Sequence, residues 1–152
     1  MTIIWKNYQF ENIPNQTLYE ILKLRQAIFI VEQACPYLDC DGLDPLAIHL
    51  CGFEENTETL ISYARIFPAG VLEQQTATII GRVIVAPEFR GKGLAYELMR
   101  QAEQVHPSLE YYLGAQAHLE SFYSKAGYKR DGNNYDEDGI PHLPMKKQIF
   151  PE

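Results

Sequence analysis

The stretch of residues 76–105, TATIIGRVIVAPEFRGKGLAYELMRQAEQV, restricts the possible folds of this 152-residue chain more than any other segment. Residues 79–85 are apolar and β-branched except for Gly81 and Arg82, which predicts a mostly buried strand, and Pro87 ends that strand. From Leu94 to Val105, apolar side chains recur at helical spacing. The turn between them carries two glycines and two cations. Because the first amides of a helix are unpaired and the helix dipole is positive there, the sequence predicts an anion site, best suited to phosphate.

The glycine pattern of this turn excludes two common phosphate ligands. A Walker loop needs a Gly, four residues and then Gly-Lys-Ser/Thr, and this order is absent from the sequence. A dinucleotide fingerprint needs a third glycine at position 96, where the chain has Tyr96. The pattern that remains is Arg-x-x-Gly-x-Ala, from Arg90 to Ala95.

The net charge of −7 and the pI of about 5.1 restrict the partners of the chain. Nucleic acids and anionic membranes both require a basic surface, so we expect neither as a partner. No apolar run approaches a membrane span, and Lys6 and Asn7 interrupt the N-terminal segment, so no signal peptide is predicted. Without an export signal, the three cysteines are expected as reduced thiols in the cytoplasm. They lack Cys-x-x-Cys spacing, so no zinc site is expected.

The other elements are predicted from periodicity and from turn residues. Strands are expected at residues 2–8, 48–53, 60–67, 111–115 and 140–149, and a short helix at 119–126. Close spacing of the strands from 48 to 85 predicts an antiparallel meander. The helix at 94–105 is a crossover, which predicts that the strands on either side of it run parallel. Residues 131–138 are expected to form a polar turn, and Pro141 and Pro144 place the last strand at a sheet edge.

A first helix is predicted from a capping box of Thr17 and Glu20 to about Gln33. Its apolar stripe includes two charged residues, Arg25 and Glu32. A buried charge without a partner costs several kcal/mol. Arg25 is therefore interpreted as one half of a structural ion pair, and Glu32, near the helix end, as a candidate site residue.

The loop of residues 36–45, PYLDCDGLDP, contains Asp39, Asp41 and Asp44. Two interpretations are open. The three carboxylates can form Asx-type turns, or they can form an acidic rim that attracts an amine substrate. His49 follows on a predicted strand and is interpreted as structural.

Two motifs together resemble the GNAT superfamily of N-acetyltransferases. The pattern from Arg90 to Ala95 is similar to the acetyl-CoA turn of the superfamily. Residues 122–128, FYSKAGY, resemble its aromatic-Tyr-x-x-x-Gly-aromatic segment. LRQAIFIVEQACPYLDCDGLD, IGRVIVAPEFRGKGLA, YLGAQAHLESFY and EDGIPH resemble more closely the ElaA-like branch, a group of small acyltransferases. The resemblance implies an α+β fold in one domain over residues 1–152, with a mixed, mostly antiparallel sheet, a central parallel strand pair and flanking helices.

The resemblance also implies acetyl-CoA as acyl donor and direct transfer of its acetyl group to a primary amine, without a metal. The pantetheine arm would pair with the backbone of Val83, Ile84 and Val85. The diphosphate would be held by the amides of Arg90, Gly91, Lys92, Gly93, Leu94 and Ala95. Tyr123 would face the thioester sulfur as the catalytic acid. An ordinary tyrosine has a pKa of about 10, whereas the conjugate acid of the leaving thiolate has a pKa of about 8.5. The Tyr123 hydroxyl would therefore stay protonated at pH 7 and could hydrogen-bond or protonate the thiolate.

The sequence leaves the general base and the acceptor open. Glu32 is the first candidate base and His142 the second, because an imidazole with a pKa of about 6.5 suits proton transfer. His49 and Asp41 rank behind them. We expect substrate contacts from Glu32, Tyr37, Asp41 and His142, with a small-molecule or peptide amine as acceptor and a monomer or homodimer as the assembly.

Other classes of function also stay open. A non-catalytic module that binds acyl-CoA needs the same turn. Leu24-Arg25-x-x-x-Phe29 also resembles acyl-homoserine-lactone synthases, which would imply a different acyl donor and acceptor. Transfer through a thiol, Cys35 or Cys40, would need a nearby base.

Overall fold

The computed structural model describes residues 1–149, which form one eight-stranded sheet with helices on both faces. The strands are β1 (Ile3–Gln9), β2 (Ile48–Glu54), β3 (Leu60–Phe67), β4 (Thr78–Val85), β5 (Glu110–Gln116), β6 (Lys129–Arg130), β7 (Tyr135–Glu137) and β8 (Ile140–Gln148). The helices are α1 (Asn15–Arg25), which continues as a π-helical segment (Gln26–Glu32), α2 (Leu94–Val105) and α3 (Glu120–Lys125).

The strand order is β1-β2-β3-β4-β5-β8-β6, and β7 also pairs with β8. Strands β2, β3 and β4 form the predicted antiparallel meander. Helix α2 crosses from β4 to β5, and these two strands are parallel, as predicted. The mixed sheet with a central parallel pair is thus confirmed.

Apolar clusters fill the space between the sheet and the helices on each face. Leu98 of α2 is fully buried against a cluster that contains Ile80 of β4. On the other face, Ile21 of α1 is fully buried with Tyr63 and Ile84. These two clusters fix the central strands between α1 and α2, so the middle of the sheet is a rigid support for a site.

The first helix differs from its prediction at both ends. It begins at Asn15 after Pro14, without a side-chain cap, so the predicted Thr17–Glu20 capping box is wrong. The Pro14 carbonyl accepts the Leu18 amide, which is the first hydrogen bond of the helix. At the other end the helix widens into the π-helical segment, a geometry often found beside functional sites.

The last strand was predicted to be an edge, and this prediction is wrong. β8 lies between β5 on one side and β6 and β7 on the other. The Pro144 carbonyl accepts the Asp131 amide, so the missing amide of Pro144 faces the gap between β6 and β7. The proline therefore removes no hydrogen bond from the pairing of β8 with β5. The segment predicted as a polar turn, residues 131–138, contains β7 and forms a hairpin with β8.

Candidate functional site

Strands β4 and β5 separate shortly after they meet, and a cavity of about 320 Å³ lies where they separate. Their pairing is limited to Thr78 with Tyr111 and Ile79 with Tyr112. Beyond these pairs, the edges of both strands are open to each other. An open strand edge inside a protein can bind an extended ligand as a further strand.

β4 carries one extra residue at the same point. Between Gly81 and Ile84, three steps along β4 match two along β3. Arg82 within this bulge has a φ of +50°, a conformation that costs a residue with a side chain about 1 kcal/mol. The bulge also reverses the alternation of side chains: Ile80 packs with α2, whereas Ile84, four residues later, packs with α1.

The cavity is open to side chains from both faces of the sheet because the two strands stand apart. Tyr123 reaches it from α3, on the face covered by α2, and Phe29 reaches it from the π-helical segment on the opposite face. Other lining residues include Tyr112 and Gly114 of β5, and Tyr135, Glu137 and His142 of the β7–β8 hairpin. Of the predicted site residues, the cavity brings together Val83, Tyr37, Tyr123 and His142.

Tyr123 is positioned by aromatic packing. Its ring is 6% exposed and contacts Phe122 and Tyr128 in edge-to-face arrangements. The side chain of Tyr123 lines the cavity. Burial raises the pKa of Tyr123 to about 12. The hydroxyl is therefore a protonated donor at neutral pH.

His142 and Glu137 form a polar pair beside Tyr135. The His142 Nδ1 atom is 2.7 Å from the Ile140 carbonyl, and Nε2 is 3.3 Å from the Glu137 carboxylate. The ring stacks on Tyr135 with 5.8 Å between centroids. Both ring nitrogens therefore face oxygen atoms. The carboxylate of Glu137 remains more than half exposed at the cavity mouth.

Sequence reasoning missed Glu137, although a signal for it was present. Asp138 and Gly139 have φ values of +53° and +81°, as in the two-residue type I′ turn that Asp-Gly favours. That turn pairs β7 with β8 and places Tyr135 opposite His142. Alternation along the hairpin then puts Glu137 on the same face as these two rings.

The predicted anion site lies at the C-terminal end of β4, next along the strand from the cavity. Gly91 and Gly93 have φ values of +79° and +78°, and α2 begins at Leu94. Among the described residues, the amides of residues 91–93 donate to no other group. Lys92 lies over the Phe89 ring, with its Nζ atom 5.6 Å from the ring centroid. This turn, residues 90–95, is called the cradle below.

Glu32 lies apart from the cavity. Its carboxylate binds the Arg90 guanidinium through two hydrogen bonds, the shorter of 2.7 Å, and it borders a separate apolar groove of about 620 Å³. The hydrogen bond from Arg90 lowers the pKa of Glu32. Arg90 also donates from Nε to the Val85 carbonyl at 3.0 Å. Glu32 is thus attached to the cradle rather than to the group around Tyr123.

The acidic loop does not form a rim for an amine, so that interpretation is wrong. Each of its carboxylates binds arginine: Asp39 binds Arg25 and Arg82, while Asp41 and Asp44 both bind Arg65. The structural ion pair predicted for Arg25 is confirmed. An Asx turn is also present, since the Leu43 amide donates to Asp41 at 3.0 Å.

Asp41, a predicted substrate residue, does not line the cavity. Burial raises the pKa of Asp41. This effect is outweighed by hydrogen bonds from Arg65 and the Leu43 amide and by the charges of Arg65 and Arg82, so the pKa falls to about 2. His49 is fully buried between the Tyr63 hydroxyl and the Asp44 carbonyl, and burial lowers its pKa. The structural interpretation of His49 is confirmed.

The surroundings of Cys35 and Cys40 test the alternative in which the acyl group is transferred through a cysteine thiol. Cys35 lines the cavity and donates its thiol hydrogen to the Asp138 carbonyl at 2.9 Å. Burial, with the charges of Asp138 and Asp136, raises the pKa of Cys35, which disfavours the thiolate. Cys40 is exposed and outside the cavity.

Residues 1–149 lack two features that would point to other functions. No helix in this range is long and apolar enough to cross a membrane. Nor does this range hold three or more His, Cys, Asp or Glu side chains grouped so that they could bind a metal ion.

Comparison with known proteins gives the family. The acetyltransferase (GNAT) domain family matches residues 48–149, which include the cradle, the cavity strands and Tyr123. The chain therefore belongs to the GNAT acetyltransferase family, and it is an acyltransferase of this fold.

Two relatives match almost the whole chain in sequence. Protein ElaA of Escherichia coli is 37% identical over 97% of this chain and 98% of its own. A UPF0039 protein of Synechocystis sp. is 36% identical over 99% of both chains. Two crystal structures superpose closely. An acyl-CoA N-acyltransferase from Pseudomonas aeruginosa has a TM-score of 0.86 at 34% identity, covering 96% of this chain and 99% of its own. E. coli ElaA has a TM-score of 0.85 at 36% identity, covering 97% and 100%.

Proposed function

We propose that the protein transfers an acetyl group directly from acetyl-CoA to a primary amine. One observation carries this proposal. Because β4 and β5 separate, one cavity is lined both by Tyr123, from one face of the sheet, and by the His142–Glu137 pair, from the other face. A donor held along β4 and an acceptor that enters from the hairpin side would meet between these groups.

The donor side rests on the cradle and on the open edge of β4. Unpaired amides, two glycines and the cations Arg90 and Lys92 suit the diphosphate of a coenzyme A ester. The pantetheine arm would then pair with the backbone of residues 83–85 and lead the thioester into the cavity. The family and the acyl-CoA enzyme from Pseudomonas aeruginosa support this assignment.

Tyr123 supplies the proton for the leaving group. The amine nitrogen attacks the thioester carbonyl, the C–N bond forms, and the C–S bond breaks as a backbone amide near Val83 stabilises the oxyanion. The thiolate takes a proton from the Tyr123 hydroxyl, and the proton that the amine nitrogen loses as the amide forms returns to the tyrosinate through solvent. Since the pKa of Tyr123 is about 12, this hydroxyl stays protonated until it is needed.

We assign the other proton transfer to Glu137 together with His142. The acceptor ammonium must lose a proton before attack. His142 has no ring nitrogen free of an oxygen contact, whereas Glu137 keeps an exposed carboxylate at the cavity mouth. Glu137 would accept the proton, directly or through water, while His142 holds its orientation. Glu32, bound to Arg90 outside the cavity, is assigned to the cradle instead.

The acceptor would be a cationic amine, small or at the end of a peptide. The cavity arginines, Arg65 and Arg82, are neutralised by aspartates, so Glu137 and Asp138 determine the charge of the mouth. Carboxylates at the entrance attract ammonium groups. Tyr37 contributes a phenol to the same wall.

The proposal is tested by following coenzyme A release from acetyl-CoA with a panel of primary amines. We expect at least one amine to be acetylated, as identified by the mass of the product. Glu137→Gln should lower kcat/KM at neutral pH by about 100-fold and remove the acidic limb of its pH profile. Glu55→Gln, an exposed carboxylate elsewhere, is the matched control and should keep full activity.

Two results would contradict the proposal at different points. Binding of coenzyme A without turnover of any amine would favour a non-catalytic acyl-CoA module. Wild-type activity in Glu137→Gln would remove Glu137 from the mechanism and leave the transfer reaction itself intact.

A further inference from the structure

The bulge of β4 is connected by Arg82 to the loop that follows the first helix. Arg82 Nε donates to an Asp39 carboxylate oxygen at 2.8 Å, and Nη2 donates to the Asp39 carbonyl at 3.1 Å. Nη2 also lies 3.5 Å from Asp41. A guanidinium held at several points fixes the backbone that carries it.

Asp39 is a buried anchor for two arginines. It is 4% exposed, and one carboxylate oxygen accepts Arg82 while the other accepts Arg25 at 2.8 Å. Its carbonyl accepts both guanidinium groups. Arg25 is fully buried at the end of α1. Asp39 thereby connects Arg82, the strained residue of β4, to Arg25 at the end of α1.

The ion pair of Arg82 with Asp39 lies where β4 pairs with only one neighbouring strand. The bulge occurs just beyond the last β4–β5 pair, so strand pairing holds it from the β3 side alone. Gly81, Arg82 and Val83 all line the cavity. Arg82 has an unfavourable φ, and a misplacement of about 1 Å in catalytic groups can cost 100-fold in rate.

We propose that Arg82 is a positioning residue, which acts through Asp39 to hold the bulge so that the backbone amide beside the cavity points at the reacting carbonyl. The inference rests on the proposed acetyl transfer and adds a determinant of its rate. It assigns a function to the ion cluster that the acidic loop forms.

A glycine at position 82 separates this role from simple stabilisation. Glycine adopts a φ of +50° without strain, so Arg82→Gly removes the strain and the connection to Asp39 together. If Arg82 only compensates for strain, the glycine variant should be as active as the wild type. If Arg82 orients the amide, the glycine variant should fold well and still react slowly.

Steady-state kinetics of Arg82→Gly, Arg82→Lys and the wild type test this. We expect Arg82→Gly to lower kcat at least 10-fold, with the KM for acetyl-CoA changed less than about 3-fold, because the cradle is untouched. Arg82→Lys, which keeps the charge, should recover part of the loss. Arg100→Ala, which removes an exposed pair with Glu97, is the control and should leave kcat unchanged. A wild-type kcat in Arg82→Gly would overturn the proposal.

A second measurement does not depend on turnover. In ¹⁵N-labelled protein saturated with coenzyme A, the Val83 amide signal should be sharp in the wild type and broadened in Arg82→Gly. A Val83 signal as sharp in Arg82→Gly as in the wild type would overturn the positioning role. If the wild type acetylated no amine, the proposed function would fail, and this signal would still decide the role of Arg82.

Discussion

Two arginine–carboxylate pairs lie near opposite ends of the same helical segment, and they differ mainly in burial. At the end of α1, the side chains of Arg25 and Asp39 are 0% and 3% exposed. At the end of the π-helical segment, those of Glu32 and Arg90 are 42% and 43% exposed. The contacts are almost equally short, 2.8 and 2.7 Å.

The difference in burial gives the two pairs different roles. A buried pair that loses one partner leaves an uncompensated charge, so it fixes the structure around it. An exposed pair contributes between 0 and about 1 kcal/mol and can be exchanged for another ligand. Arg25 and Asp39 thus fix the acidic loop to the end of α1, whereas the exposed Arg90 can exchange Glu32 for another anion, which in the proposed function is the diphosphate of the donor.

The largest expected effect is on stability. Arg25→Met should lower the free energy of unfolding by about 3–5 kcal/mol, because Asp39 and Asp44 each lose a buried partner. Urea denaturation measures this change. Glu32→Gln is the matched variant for the exposed pair and should cost less than about 1 kcal/mol. Equal losses of unfolding free energy in Arg25→Met and Glu32→Gln would contradict the conclusion that burial gives the two pairs different roles.

The second effect is on binding of the donor. Arg90→Met should raise the Kd for coenzyme A about 10-fold, measured by calorimetry, because the cradle loses a cation at the diphosphate. Its stability should change by less than about 1 kcal/mol. Glu32→Gln frees Arg90 from its partner and should bind coenzyme A at least as tightly as the wild type. An unchanged Kd in Arg90→Met would show that the exposed pair has no part in binding the donor.

The smallest effect is the acid sensitivity of the buried cluster. Burial raises the pKa of Asp41, but the hydrogen bonds from Arg65 and the Leu43 amide outweigh it and bring the folded pKa from an ordinary 3.8 to about 2. The arginines also lower the folded pKa of Asp44. A carboxyl with a lowered folded pKa stabilises the protein above its unfolded pKa and loses that contribution as pH falls. We therefore expect about 1–2 kcal/mol of stability from Asp41 to be lost between pH 4 and pH 2. The free energy of unfolding, measured by urea denaturation at several pH values in this range, should fall less steeply with pH in Asp41→Asn than in the wild type. The same dependence on pH in both proteins would contradict the role of Asp41.

Local patterns were sufficient to predict the elements around the cradle. The bounds predicted for α2 and β3, residues 94–105 and 60–67, are those observed. Helical periodicity and strand length determine such bounds, and the crossover helix determines that β4 and β5 are parallel. The glycines of the cradle have the positive φ values that their place in a turn suggests.

Contacts between distant parts of the chain could not be read from local patterns. Arg25 was expected to need a partner, but nothing local identifies Asp39, fourteen residues away across a loop. The bulge at Arg82 depends on the pairing of β4 with β3, and the isolated strand shows no sign of it. Glu137 is the exception, since the Asp-Gly turn beside it predicts the hairpin.

The central claim is that the group facing the thioester sulfur is the Tyr123 hydroxyl. Tyr123→Phe keeps the ring packing of the buried side chain and removes only the proton donor. On the best amine of the panel, steady-state kinetics should show kcat lowered by about 100-fold, with the Kd for coenzyme A within about 2-fold of the wild type. A wild-type kcat in Tyr123→Phe would contradict the account, because the cavity would then carry out the reaction without its acid.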